Sequence, residues 1–232
     1  LMGTSYLDTR LQGLIEAVPT PEVLPPSQQQ LVDRITQLWG RRQVDAAWTA
    51  VQLCGDDTSN KAAIAATACA QLGLGLQVLR AAELSANLAE REALIPLWER
   101  EMLLSNSALL LDCEELDRAE SGRAAWLVER LDGPLIVASR EPLRLRERVL
   151  VRLDVTKPTA TEQQEIWQAE LGALAEEMNG KLQPLVMQFN LNPQAIRAAC
   201  VELMEQPALL SAEAASAELD TQATLFKALW DA

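Results

Sequence analysis

Hydrophobic positions change their period along this chain, and the changes divide it. At the start, Leu7, Leu11, Leu14 and Ile15 recur at helical spacing. The pattern breaks at "PTPEVLPPS", where repeated X-Pro steps force extended backbone. That stretch reads as a linker or a segment laid along a domain surface. "SQQQLVDRITQLWGR" then predicts a helix, with Ser27 as N-cap and Gly40 just past its end. Next, "AAWTAVQLCG" is an almost unbroken apolar run ending in Gly55, as expected of a strand buried on both faces. "NKAAIAATACAQLG" is helical and is closed by Gly73, and "LGLQVLR" is a second strand. "NLAEREALIPLWEREMLLSN" is helical, with a kink or break expected at Pro96. "SALLLDCEE" supplies a third strand, "RAAWLVERLDG" a helix, and "PLIVASRE" and "RVLVRLDV" a fourth and fifth strand.

Strands alternating with helices predict an α/β fold built on a doubly wound, parallel five-stranded sheet with flanking helices. In such sheets ligands sit beyond the carboxyl ends of the strands, where Gly55, Asp112 and Ser139 all fall. After "KPTATEQQ" only helical periodicity remains, in "TEQQEIWQAELGALAEEM", "NPQAIRAACVELMEQ" and "SAELDTQATLFKALWD". Thr161, Asn192 and Ser216 are the expected N-caps. The expected organisation is a linker over 1–26, an α/β core over 27–158 and a small α-helical subdomain over 159–232.

Composition narrows the chemistry. Hydrophobic residues at 49% and charged residues at 23% describe a globular chain with enough apolar material for a core. A net charge of −13 leaves no basic excess to neutralise phosphates, so neither nucleic acid nor an anionic membrane is an expected partner. Histidine is absent, which removes Ser-His-Asp and Cys-His catalysis. Cys54, Cys69, Cys113 and Cys200 form no C-x-x-C pair and read as free thiols of a cytoplasmic protein. No apolar stretch approaches the roughly 20 residues a membrane helix needs, and no signal-peptide pattern opens the chain. Because the first residue is Leu1 instead of Met, the chain is expected to be a piece of a longer polypeptide.

The candidate chemistry lies at "CGDDTSNKAA", between a strand and a helix. A phosphate-binding loop, G-x-x-x-x-G-K-[ST], cradles phosphates on backbone N–H groups, extends a lysine to the terminal phosphates and offers Mg²⁺ a hydroxyl. Gly55 and Lys61 keep that spacing, while Asn60 replaces the second glycine and Ala62 the hydroxyl residue. Asp56, Asp57, Thr58 and Ser59 fill the positions where a phosphate would lie. "ALLLDCEE" ends a strand in Asp112, as a Walker B carboxylate is presented to Mg²⁺. Cys113 stands where a catalytic Glu would follow, and the next acids are Glu114 and Glu115. If the strand continues, Glu114 points to the face opposite Cys113. Ser139 ends the fourth strand at a sensor-1-like position, and Arg140, Arg144, Arg146 and Arg148 follow it.

Together these elements resemble an AAA+ ATPase module, and most of all the degenerate first module of prokaryotic winged-helix/tandem-AAA proteins. The resemblance implies strand order 5-1-4-3-2 and a helical lid. It also implies ATP at Gly55–Ala62, Mg²⁺ on Asp112, and an arginine finger among Arg140–Arg148, with Arg144 and Arg146 foremost. Arg197 falls near a sensor-2 position. "LMGTSYLDTRLQGLI" resembles the exit from a preceding region, and "LFKALWDA" the lead into a second, intact module. The implied partners are therefore proteins: an adjacent AAA module, further copies of the chain, or both.

The departures from the motif bear on activity. At an effective dielectric near 20 and ~5 Å, each aspartate–phosphate pair repels by roughly 3 kcal/mol. Even halved by screening, Asp56 and Asp57 together lower ATP affinity by about two or more orders of magnitude. Three readings stay open: a loop filled by its own carboxylate at the helix N-terminus, nucleotide binding without turnover, and an active ATPase with divergent motifs. In the self-filled loop, Asn60 is left-handed, Thr58 or Ser59 caps the helix, and Lys61 pairs with Asp112 across the strand ends. A clamp-loader-like subunit is a further alternative. Cys113 has no base to activate it, and Trp39, Trp48, Trp98, Trp126, Trp167 and Trp230 read as core or lid anchors.

Overall fold

The computed structural model describes residues 8–20, 23–41, 47–172, 175 and 182–205. Two compact units divide it, Leu1–Thr156 and Lys157–Ala232. The first contains a six-stranded sheet formed by β1 (Ile15–Ala17), β2 (Ala50–Cys54), β3 (Gly75–Arg80), β4 (Ser107–Cys113), β5 (Leu135–Ser139) and β6 (Leu150–Asp154). Its order is β1-β3-β4-β5-β2-β6. The five strands β6-β2-β5-β4-β3 are parallel, in the order 5-1-4-3-2 when they alone are numbered.

Four helices flank this sheet: α1 (Pro26–Gly40), α2 (Thr58–Gln71), α3 (Leu88–Ser105) and α4 (Arg118–Arg130). Every residue of β2 and β5 is buried, as unbroken apolar runs require when both faces are covered. The pleat sorts side chains into two layers. Ala108 and Leu110 of β4 join Val51 and Leu53 against α1 and α2, packing on Ile35, Ile64 and Cys69. Leu109, Leu111 and Cys113 point the other way, onto Trp98 of α3 and Leu127 and Val128 of α4.

The start of the chain departs from its helical reading. Residues 15–17 form β1, antiparallel on the edge strand β3, with Ile15 opposite Leu79. Leu11 and Ile15 are buried in the second core layer, so their spacing serves a turn and an edge strand instead of a helix face. Capping β3 in this way removes an exposed pairing edge. Asp8 ties the segment down by accepting hydrogen bonds from Arg10 and from Arg100 of α3, which hold its carboxyl well below the usual carboxylate range.

Helix ends differ in detail from expectation. Helix α1 starts at Pro26, which has no N–H to leave unsatisfied at a first position, so Ser27 lies inside the helix; Gly40 is its last residue. Helix α3 runs through Pro96 without breaking. Among the described residues, the second unit contains α5 (Ala160–Leu171), α6 (Leu182–Gln188) and α7 (Pro193–Glu205) around Trp167, Leu171, Val186, Ile196 and Cys200. Thr159, not Thr161, caps α5 in a reciprocal box with Glu162. Asn192 accepts from Ala195 N at 2.7 Å, as its position predicted. Buried Gln163 joins Pro158 O, Asn190 Oδ1 and Leu191 N, fixing the turn before α7. The expected helix capped by Ser216, and Trp230 with it, lie outside the described residues.

Candidate phosphate-loop site

Strand β2 delivers the chain to Gly55 at the carboxyl edge of the sheet. Gly55 has φ +151°, and a Cβ there would collide with the Val155 carbonyl. This close approach, with Val155 N donating to Cys54 O at 2.6 Å, requires glycine whether or not a phosphate binds. Only Gly55, Asp56 and Asp57 separate β2 from α2, because the helix begins at Thr58, three residues before the lysine. The stretch that would arch around a phosphate is thus largely wound into helix.

Asp57 is the N-cap. Its carboxylate is buried and accepts from Asn60 N at 3.3 Å, Asn60 Nδ2 at 2.8 Å and Ser59 Oγ at 2.9 Å. A carboxylate from the chain therefore sits where the helix N–H groups and positive dipole end attract anions. The cap is neither Thr58, which is exposed, nor Ser59. Asn60 is also not left-handed. It is helical, and its side chain is spent on Asp57. Asp56 faces solvent and pairs loosely with Arg140 at 3.4 Å. Ala62, at the hydroxyl position, packs as a half-buried apolar residue against the first core layer.

Lys61 is completely buried. Its ammonium donates to Gly55 O at 2.6 Å and Ser139 O at 3.1 Å, and forms an ion pair with the Glu114 carboxylate. The expected partner Asp112 is not used. Asp112 Oδ1 instead accepts from Glu114 N at 3.1 Å, a two-residue turn that stops β4 and sets the orientation of Glu114. Because β4 ends at Cys113, Glu114 belongs to the turn and not to a continuing strand, and the Cys113 thiol is pushed strongly up by burial and then by the nearby Asp112 and Glu114 carboxylates.

Ser139 is buried at the end of β5. Its Oγ accepts from Gln52 Nε2 at 2.8 Å, and its carbonyl also accepts from Gly55 N at 3.2 Å. Gln52 was not picked out from the sequence. The signal was available, a lone amide inside a fully buried apolar strand. Gln52 also contacts Glu141 O at 3.4 Å, so it braces the exit from β5.

The structure thus gathers Gly55, Asp57, Asn60, Lys61, Glu114 and Ser139 at one edge of the sheet, with Asp112 bonded to the Glu114 backbone and Asp56 paired with Arg140 beside them. Arg148 is structural: it donates to Val128 O at 2.7 Å and Leu131 O at 2.5 Å at the end of α4, and to Trp48 O at 3.2 Å. Arg144 and Arg146 are exposed beside two clefts along α4, of about 590 and 740 Å³, that share Gly122, Ala125 and Arg144. Arg197 of the second unit pairs with Glu170 at 2.8 Å.

Comparison with known proteins bears on the fold. Residues 159–232 match the family model described as the contractile injection system ATPase helical domain. No curated protein matches the chain. Among solved structures, a chain from work described as the structural basis for katanin self-assembly aligns with TM-score 0.56 and 13% identity, over 99% of this chain and 92% of that one. No helix among the described residues is long and apolar enough to cross a membrane. The parallel 5-1-4-3-2 core with its helical C-terminal part is accordingly an AAA+-like fold, and its last third is similar to the helical domain of contractile injection system ATPases.

Proposed function

We propose that this chain is a catalytically degenerate AAA+ module, serving as a regulatory or assembly domain of a larger ATPase and hydrolysing no ATP itself. The observation that carries this reading is the engagement of Lys61, whose ammonium has three donors and meets Gly55 O, Ser139 O and Glu114. To reach a nucleotide, Lys61 would have to leave a buried ion pair, which costs several kcal/mol. Asp57 already occupies the N-terminus of α2. Ala62 offers no hydroxyl to Mg²⁺, and Cys113 no base to a water. These residues do not fit MgATP, so no reaction step is assigned to it.

The similarity of residues 159–232 to a contractile injection system ATPase domain suggests the setting, an ATPase assembly in which another module does the hydrolysis. Protein partners follow from that setting: an adjacent AAA module, further copies of this chain, or both. A cytoplasmic location belongs to the same reading. Titration with a fluorescent ATP analogue and Mg²⁺, together with steady-state phosphate release, tests it. The expected result is no micromolar binding and no turnover. Phosphate release abolished by Lys61→Ala would overturn it. Size-exclusion chromatography with light scattering tests assembly.

A further inference from the structure

We propose that the Glu114 carboxylate is a built-in stand-in for a phosphate group, closing the loop site permanently and making the order of this sheet edge independent of nucleotide. The inference rests on the degenerate reading above and extends it to the device that keeps the site shut.

Four elements converge on one ammonium. Gly55 follows β2, Lys61 belongs to α2, Glu114 follows β4, and Ser139 ends β5. A bound phosphate attracts the same two features in a loop of this kind, the lysine and the helix N-terminus. Here each has a carboxylate from the chain: Glu114 on the ammonium and Asp57 on the backbone N–H of Asn60. The Lys61 side chain is fully buried and that of Glu114 nearly so, at 11% exposure. Without Glu114, the ammonium would keep two carbonyl partners and lose its counter-charge.

That arrangement separates a phosphate stand-in from an ordinary buried ion pair. Both lose stability when the carboxylate is removed. Only a stand-in leaves a vacancy that an added phosphate anion fills. The test uses the full chain in phosphate-free buffer, with inorganic pyrophosphate as the probe. For Glu114→Ala the thermal midpoint is expected to fall by about 10 °C, the loss for breaking one side of a buried pair in a unit of this size. Pyrophosphate at about a hundred times its Kd should restore roughly half or more of that shift. The unsubstituted chain should move by less than about 1 °C at the same concentration.

If Glu114→Ala accumulates unfolded, its refolding yield with and without pyrophosphate reads the same effect. A loss that pyrophosphate does not restore, in midpoint or in yield, overturns the stand-in while leaving the degenerate reading intact. An unchanged midpoint for Glu114→Ala overturns it as well. Pyrophosphate or MgATP stabilising the unsubstituted chain would show an open site and overturn the stand-in, while the degenerate reading falls only if phosphate is also released.

Discussion

In an active phosphate loop the lysine serves turnover, and its loss affects the rate more than the fold. In this chain the structure assigns the opposite pattern, and Lys61→Met measures it. Methionine keeps much of the lysine stem's volume, so the substitution chiefly deletes the ammonium. Three groups then lose their donor: the Glu114 carboxylate, Gly55 O and Ser139 O. Ser139 O retains Gly55 N as a partner, which leaves the carboxylate and one carbonyl uncompensated. Breaking one side of a buried pair costs about 3–5 kcal/mol, and an orphaned carbonyl about 1–3. The 11% exposure of Glu114 relieves part of this, so about 3–4 kcal/mol is expected, or roughly 6–16 °C in the transition of the first unit. Adding Glu114→Leu in the same chain should restore most of the loss, since replacing both partners of a buried pair by apolar groups is near neutral. Urea denaturation of the single and double variants completes the cycle. A Lys61→Met variant within about 0.5 kcal/mol of the parent would refute the structural role given to this lysine.

Three further outcomes are expected. Asp57→Ala removes the cap of α2 together with its contacts to Ser59 and Asn60, and should cost about 1–2 kcal/mol in chemical denaturation. Arg148→Ala removes a donor from the carbonyls of Val128, Leu131 and Trp48, so it should destabilise by about 2–3 kcal/mol, whereas Arg144→Ala and Arg146→Ala, at exposed positions, should change stability by under about 0.5. Burial pushes the Cys69 and Cys200 thiols up to about 12 from 9.0, so the folded state holds protons that the unfolded state releases. Stability should accordingly fall as pH rises from about 9 toward 12, and native-state thiol labelling near pH 8 should be slow at both residues and at Cys113 compared with the denatured chain.

Much of this protein was legible in its sequence because burial leaves a one-dimensional trace. The runs over 50–54, 107–113 and 135–139 are apolar without alternation, which identifies strands covered on both faces, and the helices between them fix a parallel sheet. Glycine at 55 and lysine at 61 marked the loop by their spacing together with the strand before them and the helix after them. The antiparallel strand at Ile15–Ala17 was not legible, since three residues carry no period and the pairing depends on an edge supplied sixty residues later. Two aspartates beside a lysine were visible at once, but their separate fates were not. One turns inward to cap α2 and the other faces solvent, a difference made by the early start of the helix. That Lys61 takes Glu114 in place of Asp112 was likewise decided in three dimensions, by a turn after β4 that occupies Asp112 and swings the next carboxylate toward α2. Apart from β1, local pattern determined which elements of the sheet and its flanking helices form. Which charges meet depended on how strand ends from distant parts of the chain converge at one edge of the sheet, and that information no short stretch contains.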